Sequence, residues 1–328
     1  MTREFNDWVM SEIEREEIEM RECYCNALIE EARRNGNIIV IDVDTSNSMG
    51  TKPFYRAFPE RALNCGIMEA HGIGMAAGLS SVGFIPFFHA FGVFASRRCY
   101  DQVFLSCAYQ DLNVKIIGAD AGVTATTNGG THMPFEDMGI MRNIPNMTVI
   151  EPADSTMIPQ AVRHMANSWG NFYMRYGRRK MMRVYNEKAV FEIGKANVLK
   201  EGCDVAIIAC GIMVHEALLA AKALSDEGID AMVIDMHTIK PVDEETVIMA
   251  AEKCGALVAC ENHSVINGLG SAVAEVLCEN LPVPMERVGV VENFGEVGTQ
   301  EYLMEKFGLK ASDICSKAKK AMARRDRL

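Results

Sequence analysis

The chain has 328 residues, a length that suits two domains of ordinary size, and 49% are hydrophobic, enough for a core in each. A net charge of −11 argues against nucleic acid as a main partner, and no apolar run approaches the roughly 18 residues of a membrane span. The start, "MTREFNDWVMSEIEREEIEMRE", is charged and lacks a signal peptide's apolar stretch, and eleven scattered cysteines without a C-x-x-C fit a reduced, cytoplasmic setting.

Residues 6–34 carry a helical pattern rich in Glu and Arg, with a stripe of Val9, Ile13, Ile18 and Leu28. Strands are predicted at 37–45, 83–91, 113–122, 146–154 and 171–179. A helix is predicted over 93–109, and another after 154 with Asp154 as its N-cap. A second series follows: strand 203–211, helix, strand and loop over 229–241, helix, strand 256–264, helix, strand 285–295 and a helical tail. Strands alternating with helices predict an α/β protein of two open, mainly parallel sheets with helices on both faces. A boundary within 185–200 divides it into 1–187 and 188–328.

Open parallel sheets bind ligands outside the carboxyl ends of their strands. Here those loops are 44–48, 91–94, 120–132 and 261–267. The glycines Gly72, Gly74 and Gly78 miss the dinucleotide-binding spacing, and no clear strand precedes them; Gly72, Ala76 and Gly78 instead suit the close approach of another helix. Walker and G-x-S-x-G motifs are absent, no two histidines have metal spacing, and the C-x-C of Cys23 and Cys25 has no second half to complete a zinc site. The basic runs 177–183 and 317–328 read as a solvated linker and tail.

Glu69 stands alone in the apolar stretch "LNCGIMEAHGIGMAAGL" (63–79). Two readings are open: a half-exposed glutamate at a helix start, or a desolvated carboxyl placed to share a proton with a buried ligand nitrogen. Its flanks offer no basic partner. His132, in the Gly-rich loop "NGGTHMPFED", is either a solvated loop histidine or a site residue. Phe91 and Phe94 read most simply as core.

Taken together, "NCGIMEAHGIGMAAGLSSVGFIPFFHAFGVFASRRCYDQV", "NVKIIGADAG", "NGGTHMPFEDMGIMRNIPNMTVIEPAD", "YGR", "MHTIKPVD", "GLGSAVAEVL" and "FGEVGTQEYLMEKFGL" resemble the transketolase family, from about Arg21 to the tail. The resemblance covers the pyrimidine-binding and C-terminal domains. The family's diphosphate-binding "GDG…N" motif is missing, which implies a partner subunit carrying the diphosphate and Mg2+ site, with α2β2 assembly. The implied cofactor is thiamine diphosphate. By resemblance, Glu69 contacts a pyrimidine ring nitrogen and promotes the imino tautomer, whose exocyclic nitrogen removes the thiazolium proton. Phe94 stacks on the pyrimidine, Phe91 lines its pocket and Asp44 is an acidic residue near it. Arg97 stands where many members place a further, often aromatic, pocket residue. His132 matches a histidine that bonds the donor sugar, and Arg21, Ser48 and Arg178 match positions that hold its phosphate.

Four positions depart from the family pattern. Asp120 replaces a phosphate-binding histidine and Asn128 an aspartate that reads sugar hydroxyls, while Gly130 and Met133 replace Pro and Gln. These departures point to a variant anionic ketose, branched, deoxy or sulfonated. The implied function is the C-terminal subunit of a split transketolase, moving a two-carbon ketol unit between anionic sugars. The alternatives are the beta subunit of a 2-oxoacid dehydrogenase and a non-catalytic regulatory subunit of the same fold.

Overall fold

Two sheets organise the chain, and the computed structural model describes residues 5–327. The first four residues of the charged start and Leu328 of the basic tail lie outside that range. The strands are β1 (Ile38–Asp42), β2 (Ala62–Asn64), β3 (Ile85–Phe91), β4 (Lys115–Ala119), β5 (Met147–Ile150), β6 (Asn171–Tyr176), β7 (Asn197–Lys200), β8 (Val205–Ala209), β9 (Ala231–Asp235), β10 (Thr238–Lys240), β11 (Leu257–Ser264) and β12 (Met285–Val290).

The first sheet runs β10-β5-β6-β4-β3-β1-β2, and all its pairs are parallel except β10 with β5. The second runs β12-β11-β8-β9-β7, with only β7 antiparallel. The central strands β1, β4, β6 and β8 are buried along their whole length, as expected where helices cover both faces of a sheet. Each fully buried aliphatic side chain there contributes about 1.5–3 kcal/mol; β1, β4 and β8 are rich in Ile and Val, while β6 buries Phe172, Tyr173, Met174 and Tyr176.

Register positions the site. Phe91 pairs with Ala119, and Ala119 with Tyr176, so β3, β4 and β6 end level. The residues that follow them, Phe94, Asp120 and Arg178, therefore emerge along one edge.

Several sequence expectations differ from the structure. The helix expected over 6–34 begins only at Met20 and ends at Arg34. Residues 5–19 instead lie against the segment after β6, with bridges Phe5–Lys200, Val9–Tyr185 and Arg15–Met182. Long-range backbone pairing outweighs the local helical pattern there. The helix expected over 93–109 is a series of short turns, Gly92–Ala95, Arg97–Cys99, Tyr100–Gln102 and Val103–Ala108. The chain breaks at Ser96 (φ −108, ψ −89), whose hydroxyl donates to the Gly92 carbonyl at 2.6 Å.

Asp154 does not cap the following helix, which spans Ile158–Asn167. Its buried carboxylate accepts N–H bonds from Thr156, Val184 and Tyr185 at 2.9, 2.7 and 2.8 Å. The strand and loop expected over 229–241 is two strands on different sheets, because β10 crosses back to join β5. The basic tail is a helix, Ala311–Arg325, whose Lys317, Lys320 and Arg324 converge on Glu286.

Candidate active site

Glu69 opens the helix Glu69–Ser81 and is only 4% exposed. That helix lies on the sheet where it carries Gly72: a Cβ at Gly72 would stand 2.7 Å from Phe88 of β3 and 3.1 Å from Val43. The close approach foreseen for this stripe is thus to strand residues, not to another helix, and Gly78 has nothing within 4 Å. An acidic residue in the first helical turn is favoured by the unpaired N–H groups there, by about 0.3–1 kcal/mol.

A basic partner for Glu69 comes from the broken segment after β3. Arg98 Nη1 donates to Glu69 Oε1 at 2.7 Å, and the Arg98 guanidinium lies 3.7 Å from the Phe94 ring centroid. Phe94 in turn meets His132 edge-on at 4.9 Å, and His132 meets Phe91 at 5.3 Å. Arg178 stands 5.0 Å from the centre of the Phe91 ring and pairs with Asp120. Arg178 also donates to the Ser48 carbonyl at 3.1 Å, as does Arg21 at 3.1 Å. An unbroken series of contacts thus links Glu69, Arg98, Phe94, His132, Phe91, Arg178, Asp120, Ser48 and Arg21.

Asp44 and Asn128 stand apart from this series. Asp44 is exposed in a left-handed turn (φ 64), where its N–H donates to Asn64 Oδ1. Asn128 is exposed, and its Oδ1 lies 3.5 Å from the Thr127 hydroxyl. Arg97 pairs with Glu136 at 2.6 Å and donates to the Thr131 carbonyl at 3.4 Å. Gly130 has a packing reason: a Cβ there would lie 2.4 Å from the Gly295 carbonyl oxygen. The loop after β12 therefore braces the His132 loop, and Met133 packs on Gly295 in the same contact.

Burial first, and then the Arg98 charge, push the His132 imidazole below its ordinary 6.5. His132 is therefore neutral at pH 7, with Nδ1 lying 2.9 Å from the Thr131 hydroxyl. The linker reading of 177–183 does not hold for Arg178, whose side chain is 14% exposed and paired with Asp120.

Sequence reasoning missed Arg98. No local signal marked it: Arg98 follows Phe94 at i+4, but the helical turn is broken at Ser96 between them. His263, at the end of β11, is fully buried, 3.6 Å from Glu261 and 4.0 Å from Asp137. Asp137 there also takes Tyr173 Oη at 2.6 Å and forms an ion pair with the buried Arg175.

The family described as "Transketolase, pyrimidine binding domain" matches residues 16–183, and "Transketolase, C-terminal domain" matches 194–314. The chain belongs to the transketolase family. It is 50% identical over 315 residues to the 6-deoxy-6-sulfo-D-fructose transketolase subunit SqwH of Clostridium sp. (strain MSTE9), covering 96% of this chain and 98% of that protein. It is 34% identical over 302 residues to an apulose-4-phosphate transketolase subunit of Phocaeicola vulgatus, covering 92% and 96%. A solved split-gene transketolase, described as an inactive beta4 tetramer, superposes with a TM-score of 0.88 at 46% identity, covering 94% of this chain and 99% of that one. This transketolase chain is accordingly a C-terminal-type split subunit, a transferase acting with a partner subunit, and the transketolase reading is supported over the 2-oxoacid dehydrogenase one.

The position bridging the Glu69 carboxylate and the Phe94 ring takes a flat, nitrogen-bearing group. The planar guanidinium of Arg98 already makes both a carboxylate hydrogen bond and a ring contact there. Among the described residues, no group of three or more His, Cys, Asp or Glu could hold a metal ion, and no helix is long and apolar enough to cross a membrane.

Proposed function

We propose that this chain supplies the pyrimidine half of a thiamine diphosphate site and, with a partner subunit, transfers a two-carbon ketol unit from an anionic ketose to an anionic aldose. The observation that carries the proposal is the buried Glu69 carboxylate joined through Arg98 to the Phe94 ring, with His132 on the same aromatic ring. When bound, the cofactor supplies the carbon that attacks the ketose carbonyl and stabilises the acyl carbanion equivalent.

This chain's residues do the rest. Glu69 holds a proton against the pyrimidine ring nitrogen in a dry setting, where matched partners interact strongly. Phe94 carries the ring's face, Phe91 walls the pocket and Asp44 is an outer acidic residue of the cofactor site. His132, neutral, hydrogen-bonds the donor sugar near its carbonyl. Arg178, Arg21 and Ser48 receive the anionic end, with Asp120 holding Arg178 in place and Asn128 at the outer rim.

The diphosphate and Mg2+ belong to the partner, an N-terminal transketolase subunit, in an α2β2 assembly in the cytoplasm. Ile67 and Met68, which directly precede Glu69, are 72% and 56% exposed, an apolar edge suited to being covered by that partner. Division at 187/188 gives a pyrimidine-binding domain and a C-terminal domain. The Asp120–Arg178 pair leaves less net positive charge for the anion than a histidine in place of Asp120 would, which fits a sulfonated or otherwise variant ketose; the name of the SqwH relative supports the sulfonated case.

The test is to co-express the chain with its partner and screen ketose donors, including 6-deoxy-6-sulfofructose and fructose 6-phosphate. Thiamine-dependent ketol transfer from an anionic ketose is expected, and faster from the sulfonated donor. Transfer only from 2-oxoacids, or tight metal-dependent cofactor binding by the isolated chain, would overturn the proposal.

A further inference from the structure

We infer that Arg98 occupies the pyrimidine seat of the cofactor-free subunit and that the heterocycle binds by displacing it. The inference rests on the proposal that Glu69 and Phe94 receive the pyrimidine. Arg98 satisfies both at once, with Nη1 2.7 Å from Glu69 Oε1 and its guanidinium 3.7 Å from the Phe94 centroid. Guanidinium and aminopyrimidine share a flat face for the Phe94 ring and a nitrogen that meets Glu69, the guanidinium by donating N–H to the carboxylate and the pyrimidine ring nitrogen by sharing a proton with the carboxyl. Both cannot lie between the same carboxylate and the same ring.

Exposure identifies the partner that moves. The Glu69 side chain is 4% exposed and sits at the start of a helix pressed onto the sheet. The Arg98 side chain is 45% exposed and reaches in from the surface. Its guanidinium can be rehydrated once the heterocycle takes over its bond to Glu69, whereas Glu69 cannot follow it. Beyond Glu69 and the Phe94 ring little holds Arg98: among the described residues its only side-chain hydrogen bond is the one to Glu69, while neighbouring Arg97 is held by Glu136 and the Thr131 carbonyl. An open cavity of about 470 Å³, lined by Phe94, Arg97, Arg98, Thr131 and His132, gives it room to leave.

The arrangement has a function in the free subunit. A buried carboxylate without a partner is strongly unfavourable, so Arg98 keeps the empty seat stable. The consequence is competition, since the cofactor's apparent affinity is lowered by the fraction of molecules in which Arg98 fills the seat.

The experiment measures thiamine diphosphate affinity, without sugar, by calorimetry on the assembled complex in Mg2+. Arg98→Met keeps the length and removes the guanidinium; Arg98→Lys keeps the charge and removes the plane. Arg98→Met is expected to tighten binding about tenfold and Arg98→Lys by less. The cofactor-free Arg98→Met subunit is expected to melt several degrees lower. In a Glu69→Gln background the affinity gain should shrink to within about twofold. Equal or weaker binding by both Arg98 variants, with binding still dependent on Glu69, overturns this inference alone. Binding by the wild type that Glu69→Gln leaves unchanged overturns the cofactor reading with it.

Discussion

Arg178 grips Asp120 at two points, Nε to Oδ1 at 2.8 Å and Nη2 to Oδ2 at 2.7 Å. The fork-to-fork geometry fixes the guanidinium plane while leaving Nη1 on the Ser48 carbonyl. Both side chains are largely buried, so Asp120 neutralises an arginine charge that would otherwise be unpaired there.

If Arg178 receives the substrate anion as proposed, Asp120 sets how strongly the pocket attracts it. Asp120→Asn keeps the shape and removes one negative charge. We expect it to lower KM for the anionic ketose by roughly fivefold, about 1 kcal/mol, and to steepen the salt dependence. Arg178→Met should raise KM tenfold or more with a smaller effect on kcat. Steady-state kinetics at two ionic strengths checks both, and an unchanged KM in both variants would remove the pair from the substrate site.

Glu69→Gln tests the proton-sharing role directly. Exchange of the thiazolium proton in the reconstituted complex, followed by NMR in D2O, should slow by about a hundredfold or more. An unchanged exchange rate would take Glu69 out of that role.

His132 carries a pH prediction. Burial, the largest cause, holds its imidazole below 6.5, so it stays neutral until the solution is more acidic than for an ordinary histidine. If neutral His132 is the working form, activity is held at neutral pH and lost on acidification, with the acid limb of kcat/KM below pH 6.5. His132→Ala should erase that limb and cut turnover by about two orders of magnitude while leaving cofactor affinity within a few-fold. A larger effect on cofactor affinity than on turnover would place His132 on the cofactor instead.

Two glycines of one helix should respond oppositely to alanine. A Cβ at Gly72 would lie 2.7 Å from Phe88 in the packed interface, so Gly72→Ala should destabilise the isolated chain by about 1–3 kcal/mol. Gly78 has nothing within 4 Å, so Gly78→Ala should stabilise it by about 0.5–1 kcal/mol. Urea unfolding of both variants decides; equal effects would mean the helix does not rest on Phe88.

Much of this protein was legible in one dimension. The runs "NIIVIDVDT" and "CDVAIIACG" could only be buried parallel strands, because so many β-branched residues without polar alternation require cover on both faces. The same reading placed Phe94, Asp120 and His132 in carboxyl-end loops, since that follows from strand order alone. Glu69 was conspicuous as a single charge in an apolar stretch.

Tertiary structure alone decided what those residues touch. No spacing near Glu69 reveals Arg98, because its reach to Glu69 depends on the turn broken at Ser96 and on the helix seated at Gly72. Residues 5–19 have a helical pattern and no helix, because pairing with a segment more than 160 residues away satisfies their backbone instead. Periodicity reports which face of an element is apolar; it carries no information about which distant element will meet that face, and a site assembled from several separate loops is made of such meetings.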